Sequence, residues 1–221
     1  MLGSSRESLA TLRTSLDARR GEPGFDAISA DLLAVAGVLG REKSLRLALA
    51  DAGQPAEARA GIVTSLFGAQ ISAPALAVLT EAVSRRWSSD ADLVDASERL
   101  GAQAAFAVAQ DDGTLDRVEN ELFTFSRAVD DSSELQMALT NPALTPENKA
   151  AVVRDLTSGT AAPATVAVLT HAAANLRGRR PAAAIEELAR LASEQRQQVL
   201  AEVRSAIELS PEQSTRLASA L

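Results

Sequence analysis

The chain has 221 residues, 46% of them hydrophobic, with no cysteine, no tyrosine and a net charge of −7. That is ample apolar material for one large or two small cores, while the missing cysteines exclude disulfides, thiolate catalysis and cysteine-based zinc sites. The acidic balance argues against nucleic acid as a partner, and Met1–Arg20, charged at Arg6, Glu7, Arg13 and Asp17, has no apolar stretch of the signal-peptide kind.

In chain order, the apolar spacing predicts helices almost throughout. Leu9, Leu12 and Leu16 share one face of a first helix over 3–20, which Gly21-Glu22-Pro23-Gly24 breaks. A second helix over 26–39 turns Ile28, Leu32, Val35 and Leu39 inward, and a short third covers 43–51. Gly53-Gln54-Pro55 leads into a fourth helix ending near Phe67, with Pro55 suited to a helix start. A fifth occupies 73–87, and a longer sixth, 90–110, runs directly into the second half of the chain. After a turn at Asp111-Asp112-Gly113-Thr114, a helix over 115–130 aligns Leu115, Val118, Leu122, Phe125 and Val129, and a short one spans 132–140. Thr145-Pro146 reads as an N-cap followed by proline at the first helical position, opening a helix to Thr157. Further helices fit 162–176 and Pro181 to about Val199. Beyond that, Val199, Ala201, Val203 and Ile207 alternate with Glu202, Arg204 and Ala206, a two-residue period that predicts a strand. Ser210-Pro211-Glu212-Gln213 then caps a last helix. A lone strand and helix leave the strand's backbone groups without partners, so this end reads as the beginning of an incomplete domain.

The two halves repeat. At an ungapped offset of 90 residues, 45–82 falls on 135–172 with 12 of 38 positions identical, Ala77-Val78-Leu79-Thr80 matching Ala167-Val168-Leu169-Thr170. Upstream, Leu32, Leu33 and Val35 fall on Leu122, Phe123 and Phe125. A repeat of this length marks a duplicated helical unit. The fold class expected is mostly α: two tandem six-helix-type bundles, 1–100 and 101–198, followed by one strand and one helix, 199–221, opening a small α/β C-terminal domain.

Residues for chemistry are missing. Gly37-Val38-Leu39-Gly40-Arg41-Glu42-Lys43-Ser44 has glutamate where a phosphate loop needs glycine, and the acids around Asp111–Glu121 miss calcium-loop spacing. His171, the only histidine, reads as a helix-surface residue, and Arg177-Gly178-Arg179-Arg180 as a cationic helix end favoured by the dipole. No catalytic, cofactor or metal site is expected. The uncharged runs 60–80 and 156–176 contain proline, glycine and hydroxyl residues at matching places, and each reads as two helix ends around a turn rather than a membrane span.

Several segments, in their order, resemble one family. They are Ala104-Ala105-Phe106, the stretch from Glu134 to Val153, the helix end Asn175-Leu176-Arg177-Gly178-Arg179, and Ala201–Leu221, where a strand leads through Ser-Pro-Glu-Gln into a helix. This order is similar to the delta subunit of F-type ATP synthases, the oligomycin-sensitivity-conferring protein of mitochondria, and the duplicated front half resembles the long delta subunits of actinobacteria. The resemblance implies a non-catalytic stator adaptor in the peripheral stalk. Its helical bundle would hold the N-terminal helix of an alpha subunit between its first and fifth helices, and its C-terminal domain the b subunits. It also implies a peripheral place at the cytoplasmic face of the plasma membrane, reached only through the complex, with no nucleic acid and no cofactor. In the second copy the implied strip is Ala105, Phe106 and Ala109 with Val166, Leu169 and Ala173; in the first, Leu9, Leu12 and Leu16 with Leu76, Leu79 and Val83. The rival reading is a generic α-helical repeat scaffold.

Overall fold

The computed structural model describes Met1 and residues 3–197, and every described element is helical. In order these are α1 (Ser4–Asp17), a 3-10 turn (Phe25–Ala27), α2 (Ile28–Arg41), α3 (Lys43–Ala50), α4 (Ala56–Phe67), α5 (Ala73–Ser84) and α6 (Asp90–Asp111). They continue as α7 (Leu115–Asp131), α8 (Ser133–Thr140), α9 (Pro146–Thr157), α10 (Pro163–Ala174) and α11 (Pro181–Gln197). The strand and helix expected over 199–221 lie outside the described residues.

The repeat sets helix ends residue by residue. Helices α3, α4 and α5 begin and end 90 positions before α8, α9 and α10. Two side-chain contacts recur at the same offset. Asp31 Oδ2 on α2 accepts from Ser72 N–H, ahead of α5, at 2.8 Å, and Glu121 Oε2 on α7 accepts from Ala162 N–H, ahead of α10, at 2.9 Å. A carboxylate placed there satisfies an orphan donor and meets the positive end of the helix dipole. The turns after α3 and α8 repeat likewise: Asp51 Oδ1 accepts from Gly53 N–H at 2.8 Å and Asn141 Oδ1 from Ala143 N–H at 2.9 Å. Thr145 caps α9 as its spacing predicts, its hydroxyl accepting from Asn148 N–H at 3.2 Å. Pro55, by contrast, stands one residue before α4 as its N-cap rather than inside it.

Helix α5 stops three residues short of its expected end. Arg85 turns extended, and the buried Trp87 folds back so that its indole N–H donates to the Ala82 carbonyl at 2.9 Å. A C-terminal carbonyl is thereby satisfied without another turn of helix.

The buried apolar side chains form two clusters, and α6 belongs to both. Its Leu93, Leu100, Ala104 and Ala107 join Leu12, Leu32, Leu39 and Leu79; its Ala102, Ala105, Phe106 and Ala109 join Leu122, Val153, Val168 and Ile185. A helix between two cores needs apolar residues on more than one face, and α6 has them although half-buried Asp92, Asp95 and Arg99 remain on it. The offset shows where it differs from α1. Arg6, Ala10, Thr14 and Asp17 make the exposed face of α1; the equivalent positions on α6 are Ala96, Leu100, Ala104 and Ala107, all buried. Apolar residues at these positions seat α6 in the first cluster while its other face joins the second.

Helix α2 fastens the halves from outside. Its Leu33 belongs to the second cluster although it stands in the first copy. It lies over Gly101 of α6, where a β-carbon would come within 2.9 Å of Leu33 Cγ. Further along, Gly37 and Gly40 of α2 face Asn175 and Arg177, just past the end of α10.

Candidate functional site

Where α6, α10 and the loop before α11 meet, the molecule buries a carboxylate. Glu98 of α6 is only 8% exposed. Arg177 Nη2 donates to its Oε2 at 2.7 Å, Arg179 Nη2 approaches at 3.1 Å, and His171 Nε2 stands 3.3 Å from Oε1. Burial alone would raise the Glu98 pKa; the His171 hydrogen bond and the charges of Arg179 and Arg177 outweigh it and hold the carboxyl below its ordinary value. Arg177, in turn, loses hydration, yet Glu98 and Asp95 raise its pKa.

Local geometry brings these groups together. Asn175 leaves helical conformation and its side-chain amide donates to the His171 carbonyl at 3.0 Å. Arg177 and Gly178 then take left-handed φ values of 50° and 80°, which reverse the chain and point the guanidinium back at α6. Arg179 donates to the carbonyl of Asn175, the C-cap of α10, at 2.9 Å and to the Leu176 carbonyl just beyond it at 3.0 Å. It also pairs with Glu98, which the dipole reading did not include. His171 departs from its expected place as well: it is half-buried between Glu98 and Asn175 rather than on open helix surface.

A cleft of roughly 240 Å³ opens beside this cluster, between α2, α6, α10 and α11, with Leu33, Glu98, His171, Arg179 and Glu187 among its walls. Charges at the cleft offset one another: Arg99 pairs with Glu187, Arg179 with Glu98, and Asp95 with the nearby Arg177. Such an arrangement neutralises itself and clamps helices together; it presents no activated nucleophile. Glu98 was legible in principle, because a carboxylate among Ala96, Ser97 and Leu100 on a buried helix needs cations from elsewhere, and the dense arginine cluster lies at 177–180.

The strip expected to receive a guest helix is mostly core. Ala105, Phe106, Ala109, Leu169 and Ala173 are buried in the second cluster, Phe106 completely, while Val166 is half-buried. All six do lie along the neighbouring helices α6 and α10. Helix α2 packs against both of them, through Leu33 on Gly101 and Gly37 beside Asn175. The first-copy strip is likewise buried, except for half-buried Leu76.

Among the described residues no helix is long and apolar enough to cross a membrane. The family described as ATP synthase delta (OSCP) subunit matches residues 99–221. The chain is 39% identical over 223 residues to ATP synthase subunit delta of Streptomyces griseus, covering 100% of this chain and 82% of the relative. It is 40% identical over 221 residues to that of Streptomyces avermitilis, covering 99% and 81%. To that of Nocardia farcinica it is 38% identical over 225 residues, covering 100% and 82%. The relationship spans both copies of the repeat and not only the second, and on that footing the chain belongs to the ATP synthase delta (OSCP) subunit family.

Proposed function

We propose that this chain is the non-catalytic adaptor of the peripheral stalk, joining the catalytic head of an F-type ATP synthase to its b subunits so that rotor torque drives ATP synthesis. The observation that carries this reading is identity of about two residues in five with delta subunits along the whole chain. Within this reading the chain comprises two tandem helical bundles, 1–100 and 101–198, and the opening of a C-terminal domain over 199–221. It sits at the cytoplasmic face of the plasma membrane, reaching the bilayer only through the complex.

The alpha-subunit N-terminal helix is assigned to the furrow along α6 and α10. On this assignment half-buried Val166 meets the guest directly, in the helix-in-groove manner, while Ala105, Phe106, Ala109, Leu169 and Ala173, buried as core, support the strip from beneath. The b subunits are assigned to the C-terminal side.

The test is a calorimetric titration of the full chain with a synthetic alpha-subunit N-terminal helix. Saturable binding is expected, weakened about tenfold by Val166→Asp, a loss of roughly 1.4 kcal/mol. Absence of saturable binding to the folded chain would sink the assignment.

A further inference from the structure

One turn of backbone recurs in both copies with large side chains in the first and small ones in the second. In the first, Phe67 ends α4 and Ile71 stands one turn beyond it, its N–H donating to the Phe67 carbonyl at 3.1 Å. Phe67 is buried, and Ile71 packs half-buried against the first cluster. Ninety positions on, the Ala161 N–H donates to the Thr157 carbonyl, also at 3.1 Å. A hydroxyethyl group there replaces a benzyl, and a methyl replaces a branched butyl. On the facing helix, Ala128 of α7 stands where α2 carries Val38. Phe125 in place of Val35 returns one ring to α7, but nothing makes up for Ile71 and Val38.

A cleft of roughly 690 Å³ lies at these positions, between α7, α9 and the start of α10. Binding pockets run to about 300–1,000 Å³. Its polar groups are engaged with one another. Arg117 pairs with Glu121 at 2.7 Å and donates to the Thr160 carbonyl; the Thr165 hydroxyl donates to Glu121 at 2.6 Å and the Thr157 hydroxyl to the Val153 carbonyl at 2.8 Å. What the walls still offer is apolar contact, from Phe125, Ala128, Ala161, Leu169 and Leu156, the last 57% exposed.

The first copy shows what fits such walls: an aromatic and a branched aliphatic side chain four residues apart. Two side chains at that spacing stand on one face of a helix. We propose that the cleft receives an amphipathic helix of a partner polypeptide, which seats an aromatic side chain at Thr157 and a branched aliphatic one at Ala161. The second copy thereby takes from outside what the first supplies with its own Phe67 and Ile71. Of the strip along α6 and α10, the cleft shares Leu169 alone.

The probe is a fluorescein-labelled synthetic helix, built of alanine, lysine and glutamate, with phenylalanine and isoleucine at positions i and i+4. Its anisotropy is followed on titration with the 221-residue chain. Saturable binding is expected, at least tenfold weaker for Ala128→Val/Ala161→Ile, which restores the first copy's side chains at two positions that line the cleft. A probe with alanine at both positions should bind at least tenfold more weakly too. Val166→Asp, which tests the furrow along α6 and α10, should leave this binding unchanged. Absence of saturable binding overturns the proposal, as does binding that Ala128→Val/Ala161→Ile leaves intact or that Val166→Asp abolishes. Equal binding of a probe broken by a central proline overturns the helical occupant. Self-association of the natural chain that Ala161→Ile prevents also overturns the proposal, by assigning the cleft to a second copy. Circular dichroism and urea unfolding confirm that each variant is folded; Ala128→Val/Ala161→Ile is expected to be no less stable than the natural chain, and a lower urea midpoint counts against the open cleft.

Discussion

Leu33 sits over Gly101 so closely that a methyl group on the glycine would meet its Cγ at 2.9 Å and its backbone nitrogen at 3.2 Å. Neither atom is the free end of a flexible side chain, so α2 itself would have to move. Gly101→Ala is expected to destabilise the chain by about 1–3 kcal/mol, the cost of overpacking outweighing alanine's better helix propensity. In a Leu33→Ala background the penalty should shrink, which a double-mutant cycle in urea measures. Gly61→Ala, at a helical position open to solvent, supplies the contrast and should stabilise by about 0.5–1 kcal/mol. Equal effects of the two substitutions would refute the close-contact account.

Acid should loosen the Glu98 clamp. Its carboxyl pKa is lowered in the folded chain, chiefly by His171, Arg179 and Arg177 acting against burial. A group more acidic when folded contributes stability that is present in full above its unfolded pKa, about 4.3. That stability is lost as pH falls through the lower folded value. Glu98→Gln is therefore expected to lower stability at pH 7 by about 1–3 kcal/mol and to flatten the decline below about pH 4.3. Stability measured between pH 3 and 7 checks this; parallel acid limbs for the two proteins would contradict it.

The paired caps offer an internal control. Asp31→Ala removes the acceptor ahead of α5, and Glu121→Ala removes its counterpart ahead of α10. Each should cost about 0.5–2 kcal/mol. Glu121 should stand at the upper end because it also accepts from the Thr165 hydroxyl at 2.6 Å and pairs with Arg117. The two capped helices line separate clusters, so the double variant should be additive within about 0.5 kcal/mol.

Trp87, the only tryptophan, is buried in the first cluster. Its fluorescence therefore follows that half, whereas far-ultraviolet dichroism follows all helices. With α6 in both cores, the two signals should give one coincident unfolding transition. Separate midpoints would mean that the halves come apart independently.

Most helix boundaries could be read because proline, glycine and capping residues punctuate this chain: Thr145-Pro146 and Pro181 open helices at the positions their spacing predicts. Three things could not be read. Ala96, Leu100, Ala104 and Ala107 look in sequence like ordinary alanine-rich helix, and their role in closing the first core appears only once α6 is placed between two neighbours. Likewise the strip from Ala105 to Ala173 has the spacing of one helix face, and a core face and a groove floor share that period. For Glu98 the need for a cation could be read, but not that Arg177 meets it, because that depends on a left-handed residue that is not glycine, a conformation local propensity does not announce.

The unbroken run from Asp90 to Asp111 has a mechanical meaning. A beam whose opposite sides are embedded in two separate packings gives the molecule no natural crease between them. Any load accepted at one end is handed to the other through continuous backbone hydrogen bonds, and bending would require both packings to yield at once.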